Sequence, residues 1–337
     1  MILIFSSRFT LSLQKELVTM KKRRIFLWLS ATVVLMFAAL FGAAWCLVDY
    51  ALLPDEDRRD TRLAYERLYE RVPDMREWVD SVAGKGALRD TFILMPDGRK
   101  AHALYMRGDS AHGRTAVIVH GYKNTAQTFL YLGRMYSRDF GYNILLPDLY
   151  AHGQSDGEDV QMGWLDRLDV VHWLNVAHSA FSNGKDSVRI VLHGVSMGAA
   201  TTMCVSGERL PDYVRCFVED CGYTSTSAEL GQQLEEQFHM PRFPLLPLAS
   251  GICKMRFGWA FDDSTPLQQV ARCRRPMLFI HGDSDTFVPT AFVYELYKAK
   301  PQPKQLWIAV GSRHAKSYVD HPAEYTRTVR RFLMKYF

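Results

Sequence analysis

The sequence predicts an α/β protein with a mostly parallel central sheet, helices on both faces and an antiparallel hairpin at its start. Three observations carry that expectation. Short apolar runs alternate with longer amphipathic segments over residues 88–337; Pro96-Asp97-Gly98 joins two alternating runs; and Gly194-Val195-Ser196-Met197-Gly198 stands between an apolar run and a small-residue, helix-prone stretch. Strands apolar on both sides need covering on both sides, so this alternation implies a parallel sheet between helical layers.

The chain has 337 residues, 48% of them hydrophobic, which fits one large α/β domain plus an appendage. The formal charge of +5 is confined to the start: residues 1–24 hold six Lys and Arg against one Glu, and the remainder is neutral overall. With no basic face left and no interleaved aromatic-basic segment, nucleic-acid binding is not expected. Residues 25–48 carry no charge. As a helix that run is about 36 Å long, enough to cross a bilayer core of about 30 Å. Lys21, Lys22, Arg23 and Arg24 precede it, and Asp49, Asp55, Glu56 and Asp57 follow it. That asymmetry predicts a basic N-terminus (1–24) in the cytoplasm, a single-pass signal anchor over 25–48, and the domain that follows outside the membrane. A cleaved signal peptide is the competing reading, although its apolar core is shorter, about 7–15 residues, and Gly42-Ala43-Ala44 is a marginal cleavage site. Met20, directly before the basic cluster, is a more natural start than Met1.

Residues 49–87 are charged and helical in pattern, with Leu63, Leu68 and Trp78 among many Arg, Asp and Glu, and are expected to form a juxtamembrane helical stalk. The domain proper spans 88–337. Strands are expected at 91–95 and 101–106 around the turn, then at 116–119, 143–146, 188–192, 216–218, 277–280 and 306–310. Helices are expected at 125–138, 160–181, 197–207, 290–299 and 322–336. The segment 224–264 breaks the alternation. It is longer than an ordinary connection and apolar through Met240-Pro241-Arg242-Phe243-Pro244-Leu245-Leu246-Pro247-Leu248, so it reads as a cap over an acyl-binding pocket, with helices packed on the sheet edge as the alternative. Five cysteines lie outside the apolar run; Cys216–Cys221 or Cys253–Cys273 could bridge in an outward-facing domain, against buried free thiols as the equal alternative.

Reactive groups in open α/β sheets gather beyond the C-terminal ends of the strands. Here those ends carry His120-Gly121-Tyr122, Asp148, Ser196 and His281-Gly282-Asp283-Ser284-Asp285, and Gly311-Ser312-Arg313-His314 follows the last strand. A serine between glycines on a strand–turn–helix is a nucleophile elbow: the turn is strained, and side chains at the glycine positions would collide with the strand and helix that meet there. Its hydroxyl needs a base, and the base needs a carboxylate to fix its tautomer. The order Ser, acid, His is met by Ser196, Asp285 and His314, with Asp220 and Asp283 as weaker acids. His120, His193 and His281 precede glycines at strand ends, where histidines satisfy local backbone groups. The amide N–H groups of Tyr122 and Met197 are the expected oxyanion donors, and the Tyr122 ring can also wall the pocket. No metal-ligand spacing is present, and no cofactor is expected.

These segments, together with Pro147-Asp148-Leu149-Tyr150-Ala151-His152-Gly153-Gln154-Ser155, resemble serine α/β-hydrolases of the monoacylglycerol-lipase and serine-aminopeptidase-like type, and within them membrane-anchored bacterial hydrolases. The resemblance spans residues 88–337. It implies the α/β-hydrolase fold with a short helical cap, the set Ser196, Asp285 and His314, no cofactor or metal, and hydrolysis of an ester, thioester or amide. Leu149-Tyr150-Ala151 departs from relatives that carry an arginine before the His-Gly, which bears on substrate preference. The expectation is therefore a membrane-anchored serine hydrolase acting on a small-molecule or lipid carboxylic ester. A peptidase, amidase or acyltransferase using the same residues, and a non-catalytic interaction module, are the alternatives.

Overall fold

Eight strands make one sheet: β1 (Arg89–Leu94), β2 (Lys100–Met106), β3 (Arg114–Val119), β4 (Asn143–Pro147), β5 (Arg189–Val195), β6 (Val214–Asp220), β7 (Met277–Gly282) and β8 (Lys304–Ala309). Their order is β1-β2-β4-β3-β5-β6-β7-β8. β1 with β2, and β2 with β4, run antiparallel; every other neighbouring pair is parallel. This is the mostly parallel sheet that the alternation predicts and the α/β-hydrolase fold that the resemblance implies. The computed structural model describes residues 2–184 and 187–337, with side chains from residue 17 onward. Arg8 and Lys15 of the basic N-terminus therefore fall outside the described side chains.

Twelve α-helices are described: α1 (Ile2–Leu52), α2 (Thr61–Arg71), α3 (Met75–Gly84), α4 (Leu130–Arg134), α5 (Asp166–Phe181), α6 (Met197–Ser206), α7 (Thr226–Phe238), α8 (Arg242–Phe257), α9 (Pro266–Arg272), α10 (Ala291–Ala299), α11 (Ser317–Asp320) and α12 (Pro322–Tyr336). Successive strand side chains point to opposite faces, and two cores follow from that alternation. Val117, Val119, Leu192, Phe217 and Phe279 face one core, where Trp173 of α5, Ala200 and Met203 of α6 and Leu296 of α10 cover them. Ala116, Ile118, Ile144, Val218 and Ile280 face the other, covered by Leu130 and Leu132 of α4 and Val329, Phe332 and Leu333 of α12.

Three expectations shift. The helix expected from 160 begins at Asp166, because Gly163 turns at φ +82 and its N–H donates to Asp166 Oδ2 at 2.8 Å. The segment 49–87 is helical, yet it does not stand clear as a stalk. Leu68 of α2 and Met75 and Val79 of α3 are buried in the same core as Phe129 and Leu130, so this pair of helices is part of the packed unit. The first helix also runs past the expected end at 48, to Leu52.

That helix has two regimes. From Ile25 to Phe37, and again at Phe41, its large apolar side chains are exposed, and residues 17–52 are long and apolar enough to cross a membrane. Beyond them Ala44, Val48 and Leu52, spaced four apart on one helical face, are buried in the core that also holds Leu245, Ala249 and Ile252 of α8. The segment 224–264, expected as a cap, holds α7 and α8.

All six cysteines are free thiols. Cys216 lies within β6 and Cys221 just past its end; the strand from Cys216 to Asp220 alone spans about 13 Å at ~3.3 Å per residue, which carries Cys221 out of reach of a bridge.

Candidate active site

Ser196 sits on the turn from β5 into α6 at φ 58, ψ −120. A non-glycine residue pays about 1–3 kcal/mol for such a backbone, so its surroundings must fix it. They do: its N–H donates to the Asp220 carbonyl at 2.8 Å, and its own carbonyl accepts from the Ala200 N–H at 3.0 Å. The two flanking glycines are compulsory. A Cβ on Gly194 would lie 1.9 Å from the Gly198 carbonyl oxygen, and one on Gly198 would lie 2.2 Å from that of Val119.

The hydroxyl so presented donates to Nε2 of His314 at 2.8 Å. Nδ1 of His314 in turn donates to Asp285 Oδ2 at 2.8 Å. Ser196, Asp285 and His314 come together from three separate strand ends, and the Phe287 ring lies 4.8 Å from the imidazole. Asp285 is buried, and its Oδ1 accepts from the N–H groups of Phe287 at 3.0 Å and Val288 at 2.9 Å. Burial alone would raise this carboxyl. Hydrogen bonds to His281 and His314, with the charge of His314 and the amide, override it and hold the group at about 2.

The rival groups occupy other roles. Asp283 is exposed, and its Oδ1 accepts from the Gly311 N–H at 2.7 Å. Asp220 accepts from the Ser317 hydroxyl at 3.2 Å, and burial pushes it up to about 6. His120 bonds the Gly121 carbonyl at 2.8 Å and the Leu149 N–H at 3.0 Å, and His193 is held between the Tyr136 and Tyr325 hydroxyls. His281 bonds the Val288 carbonyl at 2.9 Å. Asp148 ties down the Pro147–Ser155 loop: it accepts from His102 Nδ1 at 2.6 Å, the Ala126 N–H at 2.7 Å and the Gln154 N–H at 2.9 Å.

Ser196, Met197 and Tyr122 line one cavity of about 220 Å³. Met197 opens α6, where helical N–H groups lack intrahelical partners, and neither its amide nor that of Tyr122 donates to another group among the described residues. The rest of the wall is largely apolar: Met162, Leu230, Leu234, Leu245, Leu246 and Phe261. Two contributions are absent from the sequence reading. Glu229 of α7 lines the cavity, 3% exposed, with Oε1 accepting from Gln233 at 2.9 Å and Oε2 without a partner among the described residues; burial pushes its carboxyl up to about 8. Leu47, Tyr50 and Ala51 of α1 line it as well. In the sequence these residues continue the apolar composition of the run before them, so no spacing of their own marks the protein-facing side of the helix there.

One group of metal-ligating types occurs among the described residues: atoms of Cys221, Asp285 and His314 lie within 4.8 Å of one another. Two of the three are already bonded in the serine–histidine–aspartate chain, and burial pushes the Cys221 thiol well above its ordinary value, which disfavours the thiolate a metal needs.

No protein-family model matches the chain. It is 31% identical over 220 residues to the uncharacterized protein YqkD of Bacillus subtilis (strain 168), covering 65% of this chain and 70% of YqkD. It is 23% identical over 302 residues to the uncharacterized protein YfhR of Escherichia coli (strain K12), covering 86% and 89% of the two chains. Among solved structures, the Pyrococcus furiosus esterase Pf2001 matches with a TM-score of 0.59 at 22% identity, over 74% of this chain and 92% of that one. The chain therefore belongs to the same family as YqkD, on the α/β-hydrolase fold.

Proposed function

We propose that this chain is a serine hydrolase that cleaves a carboxylic ester through an acyl-enzyme. The observation that carries the reading is the continuous chain Ser196–His314–Asp285, each link 2.8 Å, opening on an apolar cavity. With Asp285 ionised, the proton of the neutral imidazole stays on Nδ1 and the Nε2 lone pair faces the serine hydroxyl. Ser196 Oγ attacks the ester carbonyl as its proton passes to Nε2. The tetrahedral oxyanion is met by the amides of Tyr122 and Met197. Collapse breaks the bond to the leaving alcohol, which takes the proton from His314. A water, deprotonated by the same nitrogen, then attacks the acyl-enzyme and releases the carboxylic acid. The scheme uses no cofactor or metal.

The cavity favours an ester with an apolar acyl chain over a peptide. The wall is largely apolar, and burial pushes up the carboxyl of Glu229, the acid among the cavity-lining residues described, which disfavours the ionised form that pairs with a substrate's ammonium group. The name of Pf2001, an esterase on the same fold, accords with this choice. We place the exposed apolar run of α1, within residues 25–48, in the bilayer as a single-pass anchor, with the basic N-terminus cytoplasmic and the packed unit, α2 and α3 included, outside. Exposed Phe26, Trp28, Leu35 and Phe37 suit lipid, and the flanking charges set the direction.

The test is full-length protein treated with a fluorophosphonate probe and with p-nitrophenyl butyrate. Ser196→Ala is expected to abolish labelling and to lower turnover by about 10⁴–10⁶-fold. Retention of wild-type turnover by that variant refutes the mechanism.

A further inference from the structure

The first helix does more than lead into the domain: its last turns reach the cavity that holds Ser196. Leu47, Tyr50 and Ala51 share the lining with Ser196 and Met197. Six residues of helix, about 9 Å of rise, separate Leu47 from Phe41 in the exposed apolar run.

That end of α1 is locked to the catalytic unit on several sides. The Tyr122 hydroxyl donates to the Ala51 carbonyl at 2.7 Å, and the Val160 N–H donates to that of Leu52 at 2.7 Å. Arg256 of α8 pairs with Asp49 at 2.6 Å, and Lys123 pairs with Asp55 just beyond the helix at 2.8 Å. The Tyr50 ring meets Phe238 of the cap edge-on at 5.4 Å, and its hydroxyl donates to Gln237 at 3.2 Å. A helix serving only as a tether needs none of these bonds. A helix that closes a pocket needs its side chains fixed relative to the reacting serine.

We propose that Leu47, Tyr50 and Ala51 of α1 form the wall against which the substrate's acyl chain packs, so that the anchor helix itself determines which chain lengths the site accepts. The substrate class is then an ester whose acyl chain is long enough to reach α1. This rests on the serine-hydrolase reading above. Leu47 is the sensitive position, being half-buried at the cavity and flanked by buried Ala44 and Val48.

The experiment uses full-length protein in dodecyl maltoside micelles and p-nitrophenyl esters from acetate to palmitate, with kcat/KM measured for each. Leu47→Trp fills the wall and is expected to lower the palmitate-to-butyrate ratio at least threefold. Leu47→Ala opens the wall and is expected to raise that ratio at least threefold. Leu35→Trp, in the exposed run of the same helix, is expected to leave the ratio at the wild-type value. If Leu47→Trp shows no cooperative melting transition, Leu47→Ala decides alone. A ratio within threefold of wild type in the folded Leu47 variants, or an equal shift in Leu35→Trp, overturns the proposal while the hydrolase reading stands. A wild-type protein that neither labels nor turns over any ester ends the hydrolase reading itself.

Discussion

Asp285→Asn isolates the one contribution that the hydroxyl and the imidazole cannot supply for themselves. The two carboxyl oxygens of Asp285 have different partners: Oδ1 accepts from the N–H groups of Phe287 and Val288 at 3.0 and 2.9 Å, and Oδ2 accepts from His314 Nδ1 at 2.8 Å. An asparagine must put its oxygen on one side and its NH₂ on the other. Oxygen toward the amides leaves NH₂ facing Nδ1, which forces the imidazole proton onto Nε2 and turns two donors toward each other at Ser196. The opposite rotamer preserves the tautomer but turns its NH₂ toward the part-buried Phe287 and the buried Val288 amide donors and leaves both unpaired, at about 1–3 kcal/mol each. At the lower total of about 2 kcal/mol the competent rotamer is held to roughly 3% of molecules. The tautomer effect alone then costs about 30-fold. Loss of the charge that stabilises the imidazolium brings the expected fall in kcat/KM to about 10⁴-fold, or ~5.5 kcal/mol of barrier. The assay is p-nitrophenyl butyrate hydrolysis with the fluorophosphonate labelling rate alongside, since both need the same activated hydroxyl. A variant that melts like wild type and hydrolyses within tenfold of it refutes the assignment of Asp285.

Gly198→Ala places a methyl 2.2 Å from the Val119 carbonyl oxygen and 2.6 Å from that of His120, so it is expected to lose about 3 kcal/mol or more, seen as a lowered Tm together with loss of labelling. Glu229 is pushed up to about 8 by burial; an acid that binds its proton more tightly when folded costs stability progressively as pH rises from its unfolded value to its folded one, by up to about 1.4 kcal/mol per pH unit. Glu229→Gln is therefore expected to flatten the fall in stability between pH 5 and 8, and an unchanged slope in denaturation curves counts against a neutral buried Glu229. Deletion of residues 1–52 removes the fully buried Val48 and Leu52, together worth about 3–6 kcal/mol of apolar burial. The shortened protein is expected to melt well below the full chain and to bind a hydrophobic dye, and equal Tm values contradict the packing of α1.

The sequence discloses Ser196, Asp285 and His314 because their constraint is local: each lies just past a strand end, in a loop whose glycines and prolines are dictated by the turn it makes. Gly194 and Gly198 are legible for the same reason, since the collision that excludes a side chain lies within the elbow and the strand beside it. Asp285 is preferable to Asp283 on position alone, and the structure gives the physical ground, one carboxylate buried against His314 and the other exposed and bonded to the Gly311 amide. Glu229 is not legible. It reads as one more acid on the amphipathic helix α7, and its isolation in the cavity depends on how that helix lies over Ser196, a long-range property with no spacing of its own.

The last turns of α1 escape for a different reason, which concerns what selects their residues. Lipid and a protein core both favour apolar side chains, so Ala44, Leu47, Val48, Ala51 and Leu52 continue the composition of the run before them and show no boundary. What changes along the helix is the medium, from exposed Phe37 and Phe41 to buried Val48 and Leu52. Only the polar clips mark the transition: Asp49 to Arg256, the Ala51 carbonyl to Tyr122, and the Leu52 carbonyl to the Val160 amide. Acidic residues after an apolar run read naturally as the far flank of a membrane span, and here one of them is also the ion-pair partner of the cap. In the proposed arrangement the same charges set the direction of insertion and fix the helix against the packed unit. In the proposed mechanism, that second role keeps Leu47, Tyr50 and Ala51 facing Ser196 in one arrangement, and a substrate chain then meets a rigid wall rather than a mobile tether.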